Sequence, residues 1–183
     1  MEGKTNSEVL YFAYGSNLSP TQMADRCPNS TPIALAHLPG WTWLINERGY
    51  ANIVKNNPGS SPMGHEPENT DTSASASDPG VYGVLYRLDP EDEETLDECE
   101  GVPFAYEKRY VEATKLEGKD LVAGDTVQLL AYIDFQRVSP SSPKSEYVKR
   151  MNRGIQEAAK DWNLPETYIT KVMRPFIPEP RGQ

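Results

Sequence analysis

The sequence predicts a mixed α+β domain whose sheet curls into a small barrel of about six strands, with helices on its outside. Three observations predict it. Roughly six strand patterns alternate with three or four helical ones, the strands are joined mostly by tight turns, and the chain has no internal repeats. At 183 residues it is long enough for one well-buried domain, and two would be cramped. The domain is expected to span 8–178, with flexible ends at 1–7 and 179–183.

The first strand is Val9–Ala13, an aromatic-rich apolar run that stops at the turn formers Gly15 and Asn17. Ser19 followed by Pro20 is an N-cap-then-proline signature, and the helix it opens runs about two turns until Pro28 ends it. A strand, a tight turn and a helix in that order aim backbone N–H groups at one point beside the positive end of a helix dipole. Such a joint can bind an anion, although an ordinary strand-to-helix connection fits the same residues.

ALAHLPGWTWLIN and GYANIVKN read as the next strands. Residues 55–80 then carry almost no large apolar side chain and are expected to be a loop or disordered insertion, either a lid or a tolerated spacer. Strand character returns in VYGVLYRL, where Gly83 in mid-strand predicts close approach of another backbone or a ligand. A short helix follows over PEDEETLDEC, capped by Asp89 with Pro90 at its first position. YEKRYVEATKL and TVQLLAYIDF are strand-like, with turns expected at 117–118 and 123–125. A Ser/Pro-rich loop leads into a long helix that ends near Asn163, and Leu164-Pro165 opens a short terminal helix that stops before Pro175.

Composition narrows the function. A net charge of −9 argues against nucleic acid or an anionic membrane as the main partner, because both need a basic footprint. It leaves a small anionic ligand open, since a few local donors override a global charge. No apolar run approaches a membrane span, and MEGKTNSE lacks the apolar core of a signal peptide. Cys27 and Cys99 are far apart with no CxxC partner, and the only histidines are His37 and His65, so a zinc site, a disulfide framework or a Ser-His-Asp triad is not expected. The chain reads as cytoplasmic and as needing neither metal nor cofactor.

The helix DPEDEETLDECEGV carries the second unusual feature. Glu91, Asp92 and Glu93 fall in its first turn, where the dipole favours negative charge, whereas Asp97, Glu98 and Glu100 crowd the last turn, where it does not. Gly101 has the character of a C-terminal cap. A carboxylate held there and partly desolvated has a raised pKa and is a better base. A solvated acidic helix face fits the same run of charges. Glu100 is singled out because it sits at the helix exit beside Gly101.

YFAYGSNL near the N-terminus, GYANIV and VYGVLYRL in the middle, LDECEGV after them, and PSSPKSEY, Gly154 and NLPETY towards the end resemble the γ-glutamylcyclotransferase family, in the family's own order. The resemblance runs from about Leu10 to about Tyr168, and the Tyr-Gly-Ser-Asn-Leu turn is closer to that branch than to the glutathione-specific one. The main departure is the long polar insertion.

The resemblance implies a cofactor-independent enzyme of the carbon–nitrogen lyase type that releases 5-oxoproline from a small γ-glutamyl compound, with Glu100 as general base and then general acid. It implies that Tyr11, Phe12, Ala13, Tyr14, Gly15, Ser16, Asn17 and Tyr147 bind substrate. The turn would hold either the α-carboxylate or the developing oxyanion, with help from the helix N-terminus that follows. The leaving group is left open among an amino acid, an amine, glutathione and a glutathione conjugate of secondary metabolism, and the assembly between monomer and homodimer. The alternative is a module of the same fold that binds a γ-glutamyl ligand or a protein without catalysis.

Overall fold

The computed structural model of the chain describes residues 8–57, 78–118 and 126–182. Most of the polar stretch expected to be a loop, the N-terminal segment 1–7 and the turn at 123–125 lie outside the described residues. Asn56 Nδ2 donates to Asp78 Oδ2 at 2.6 Å, so the described ends of the polar stretch meet.

Seven strands are described: β1 (Val9–Ala13), β2 (Thr31–Leu38), β3 (Trp41–Ile45), β4 (Ala51–Lys55), β5 (Val81–Leu88), β6 (Glu107–Gly118) and β7 (Thr126–Ile133). Five of them close into a barrel in the order β1-β5-β2-β6-β7. Its neighbours are antiparallel except where β1 meets β7 in parallel, with Tyr11 opposite Leu130. β3 and β4 stand apart as a hairpin, paired from Trp41–Lys55 to Ile45–Ala51. The barrel therefore has one strand fewer than expected, and the hairpin supplies two more. The difference arises in ALAHLPGWTWLIN, which breaks at Pro39–Gly40 into β2 and β3. Proline cannot donate to a ladder and the pair makes a turn. A second difference is at 117–118, which continue β6 as far as the pairing of Gly118 with Ala34.

The helices start where their caps predict. Ser19 Oγ accepts the Gln22 N–H at 3.0 Å to open α1 (Pro20–Arg26), and Asp89 Oδ1 accepts the Glu91 N–H at 2.9 Å to open α2 (Pro90–Cys99). Asp92 in the first turn of α2 is buried, and its Oδ2 accepts from Asn29 N–H at 2.9 Å and Ser30 Oγ at 2.8 Å. This acid pins α2 to the segment after α1. Gly101, at φ +64°, ends the helix. α3 (Ser145–Trp162) buries Tyr147, Met151, Ile155 and Ala158, a stripe at helical spacing, and ends on Asn163 in the left-handed conformation. The short α4 (Glu166–Tyr168) widens into a π turn over Ile169–Met173 before Pro175.

The core fills the barrel and continues beneath the helices, with Phe12, Leu85, Leu129, Leu130 and Tyr86 completely buried. Where a barrel strand is covered on both sides it reads as a nearly unbroken apolar run, as in Leu129–Ile133, whereas β6 exposes Arg109, Tyr110 and Glu112. The hairpin is fastened to the barrel by polar contacts. Asn52 Nδ2 donates to the Asp134 carbonyl at 2.8 Å, the Asp134 N–H returns to Asn52 Oδ1 at 3.0 Å, and Asn46 Nδ2 reaches Asp134 Oδ2 at 3.1 Å. Trp43, fully buried, donates its indole N–H to the Tyr14 carbonyl at 3.0 Å.

Gly83 in β5 lies against the end of β1. A Cβ there would sit 2.6 Å from the Phe12 ring and 2.7 Å from the Ala13 carbonyl oxygen, a backbone atom that cannot swing aside. Gly83→Ala is expected to cost about 1–3 kcal/mol, the usual penalty of overpacking. The measurement is thermal unfolding, where each kcal/mol appears as a fall of roughly 2–4 °C in a chain of this size.

Candidate active site

The turn after β1 carries the first wall of a cavity of about 250 Å³. Tyr14 leaves the strand, Gly15 follows, and Ser16–Leu18 make one 3-10 turn before Ser19 caps α1. The exit of α2 supplies Glu100, the β3–β4 hairpin supplies Arg48, Tyr50 and Ala51, and the first turns of α3 supply Tyr147 and Arg150. Tyr11, Tyr106 and Tyr132 complete the lining on the barrel side, and Arg26 reaches in from the last turn of α1.

Asn17 organises the end of the cavity that holds Glu100. Its Nδ2 donates to Tyr11 Oη at 3.1 Å and to Glu100 Oε1 at 3.4 Å, while its Oδ1 accepts from Gln22 Nε2 at 2.8 Å and Arg26 Nη1 at 3.3 Å. Tyr147 holds the opposite side. Its hydroxyl oxygen accepts the Ser16 N–H at 3.3 Å and the Ala51 N–H at 3.4 Å, which joins α3 to both the turn and the hairpin. Burial pushes the Tyr147 phenol up to about 12, so it stays neutral, and its own proton has no acceptor among the described residues. Tyr106 Oη donates to the Ala51 carbonyl at 2.7 Å.

Glu100 lines the cavity half-buried, and protein surrounds its carboxyl group. Desolvation raises its pKa above the ordinary carboxylate range, against the opposing pull of Arg26, Arg150 and Arg48. Burial wins. The acid is thus a stronger base than a surface glutamate, in a site whose walls are cationic. Glu98 also reaches the lining but is exposed at its edge, and Asp97 faces away, bonded by Tyr132 Oη at 2.7 Å and Lys108 at 3.0 Å.

Of the residues the sequence nominated, Tyr11, Tyr14, Gly15, Ser16, Asn17, Glu100 and Tyr147 converge on this cavity. Phe12 and Ala13 do not. Both are completely buried; the Phe12 ring lies against Gly83 on the face opposite Tyr11, as alternation along β1 requires, and Ala13 meets Gly83 through its backbone carbonyl. The N-terminus of α1 is also not available to a ligand. Ser19 Oγ takes the Gln22 N–H, and Glu157 Oε2 from α3 accepts from Thr21 N–H at 3.2 Å and Ser19 Oγ at 2.7 Å. Any anion held by this turn therefore relies on the turn itself and on the arginines. Those three arginines, with Tyr50, Tyr106 and Tyr132, were missed. Arg150 alone had a sequence signal, lying three residues after Tyr147 on one helix face.

Gly15 adopts φ −106°, open to any residue, so its role is steric. A Cβ would sit 2.8 Å from Tyr147 Oη and 3.3 Å from the Ala51 Cβ. Gly15→Ala is expected to displace the phenol and cost on the order of 1–3 kcal/mol by overpacking. In a Tyr147→Phe background, where the clashing oxygen is gone, the same substitution should cost markedly less, and urea unfolding of the four proteins measures that coupling. An equal cost in both backgrounds would place the conflict elsewhere.

A second expectation follows from Glu100. Its folded-state pKa lies above the unfolded value, so it contributes stability at low pH that is lost as pH rises through the folded pKa. Glu100→Gln removes that titration. The variant should melt above wild type at about pH 7 and converge with it towards about pH 4, near the pKa of an unperturbed glutamate.

Comparison with solved structures supports the fold. A protein named γ-glutamyl cyclotransferase superposes with a TM-score of 0.66 at 22% identity, over 97% of this chain and 92% of the other. An uncharacterized protein from Homo sapiens superposes with a TM-score of 0.67 at 22% identity over the same shares. YkqA from Bacillus subtilis gives 0.65 at 21% identity over 98% of this chain, which spans only 58% of that protein. At these identities the likeness establishes a shared fold, and it bears out the α+β barrel expected from the resemblance. No curated protein matches the chain. Residues 80–172, just over half of the sequence, match the AIG2-like family, and the chain belongs to that family.

Proposed function

We propose that this cavity performs γ-glutamyl cyclotransfer. In that reaction the α-amine of a γ-glutamyl compound attacks its own γ-carbonyl carbon. The new C–N bond closes a five-membered lactam, the old amide C–N bond breaks, and 5-oxoproline and an amine depart. The observation that carries the reading is Glu100, a carboxylate with raised proton affinity inside a cavity that also offers cations and hydroxyl donors. The name of one structurally similar protein points the same way.

The chemistry asks little of the protein beyond shape and proton transfer. The nucleophile is tethered to its target, and a well-oriented intramolecular attack supplies about 7–11 kcal/mol of the barrier. The amine enters as an ammonium and must lose a proton before it can attack. Glu100 takes that proton and returns it to the departing nitrogen, a transfer typically worth about 10²–10⁴-fold. The γ-carbonyl oxygen gains negative charge as the tetrahedral centre forms. The Tyr147 hydroxyl, neutral and with its proton uncommitted among the described residues, is the donor best placed to meet it. The α-carboxylate takes the end of the cavity where Arg26 and Asn17 face Glu100.

Purified protein incubated with a γ-glutamyl amino acid should release 5-oxoproline, followed by mass spectrometry. Glu100→Gln should lose at least about a hundredfold in kcat, within the range of a lost general base, and still bind substrate. Turnover by the variant equal to wild type would remove Glu100 from the chemistry, and no 5-oxoproline from the wild type would leave a binding module.

A further inference from the structure

Gln22 does not do what its place in α1 predicts. Ser19 and Gln22 have the spacing of a capping box, in which the side chain of the third helical residue reaches back to the N–H of the cap. Here the Ser16 carbonyl already takes the Ser19 N–H at 3.1 Å, and the Gln22 side chain turns inward. It lies buried behind the cavity wall without lining it. Its Nε2 donates to Asn17 Oδ1 and to Ser16 Oγ, each at 2.8 Å. The first is the shortest of the four bonds on the Asn17 carboxamide, whose contacts with Tyr11, Arg26 and Glu100 are 3.1, 3.3 and 3.4 Å.

The direction of that contact matters. A guanidinium only donates and an ionised carboxylate only accepts, so Asn17 between them turns its oxygen to Arg26 and its nitrogen to Glu100. In the reversed orientation its oxygen would oppose the Glu100 carboxylate, and its nitrogen would meet Gln22 and Arg26 donor against donor. We infer that Gln22 is a positioning residue. It holds the Asn17 carboxamide with an N–H towards Glu100, and so favours the ionised acid that must take a proton in the reaction proposed above, on which this role rests. The other charged and titratable groups around Glu100 are Arg26 and Cys27 at the end of α1, Arg48 in the hairpin and Arg150 in α3. Glu98 and Cys99 precede it on its own helix and share its cavity wall. The phenols of Tyr11, Tyr14, Tyr106, Tyr132 and Tyr147 are all pushed up by burial and stay neutral.

The test titrates the Glu100 carboxyl carbon by carbon-13 NMR in the ligand-free protein, with Glu100→Gln to assign the signal. Beside it runs the pH profile of kcat/KM for release of 5-oxoproline from γ-glutamyl-alanine. Gln22→Met keeps the length of the side chain, removes its donors and adds no charge. It should raise the Glu100 pKa by about half a unit to one unit, the worth of one hydrogen bond. Gln22→Glu keeps the shape and reverses the polarity, so that Asn17 turns its nitrogen to the new carboxylate and its oxygen to Glu100, and it should raise the pKa further. Only the ionised acid takes the proton, so the acid limb of kcat/KM should move to higher pH by the same amount in each variant. A titration unmoved in Gln22→Met, with a lower melting temperature or without one, would reduce Gln22 to packing. A shift in Gln22→Glu alone would reduce it to the field of an added charge. Either result overturns the role of Gln22 and leaves the reaction standing. Absence of 5-oxoproline with wild type would overturn the reaction, and with it this role, whatever the titration shows.

Discussion

The site hangs on the side chain of Asn17. A carboxamide has two donor hydrogens and two acceptor positions, and here all four are used: Tyr11 and Glu100 on the nitrogen, Gln22 and Arg26 on the oxygen. The Asn17 carbonyl adds a fifth bond, from Tyr86 Oη at 2.8 Å. Five groups from β1, β5, α1 and the end of α2 are thereby tied to one residue in a turn. Asn17 is buried and its side chain fully satisfied, the condition under which such a residue fixes one arrangement rather than weakens the core. It sets the distance between the strand, the acid and the arginine, which is what the proposed reaction would need.

The hairpin is the second half of the same construction. β3 and β4 share no ladder with the barrel, so side chains tie them to it, Asn46 and Asn52 on Asp134 and Trp43 on Tyr14, while backbone bonds from Ser141 and Lys144 hold the hairpin to the segment before α3. Asp134 is buried and would be costly unpaired. It is met by Arg137 Nε at 2.5 Å and by the Gln136 and Arg137 amides. Docked this way, the hairpin presents Ala51 to Tyr147 and Tyr106 and brings Arg48 to the wall facing Glu100. Each wall of the cavity belongs to a different part of the chain, and buried polar contacts hold them in register.

What the sequence made legible was local. The limits of β1 and α2, the caps Ser19 and Asp89, and the close approach at Gly83 follow from rules that act over a few residues, and the structure agrees with each. The resemblance added Glu100, the turn and Tyr147, groups that no local rule brings together. Two of the misses share one cause, dependence on distant partners. The N-terminus of α1 looked open to a ligand because nothing near it announces Glu157, 138 residues from Ser19. Arg48 sits in Asn-Glu-Arg-Gly, which reads like any polar hairpin turn until the hairpin is folded against the barrel. Phe12 is a different case, since alternation along the strand already turns its side chain away from Tyr11.

The electrostatics of the pocket run against those of the molecule, and the difference has a use. A chain of net charge −9 concentrates three guanidiniums around one carboxylate, and burial still raises that carboxylate's pKa. Burial and the three arginines act on Glu100 in opposite directions, and burial prevails. A bound carboxylate neutralises part of the arginine field and strengthens the hold of Glu100 on a proton, while the substrate ammonium, as long as it is charged, weakens it. Once the ammonium's proton has passed to Glu100 that restraint disappears, and the protonated acid is the favoured state in a desolvated site. In the proposed reaction the proton would then stay beside the departing nitrogen until the C–N bond breaks. In the proposed reaction, the arginines that bind the substrate thus also set when Glu100 acts as base and when it acts as acid.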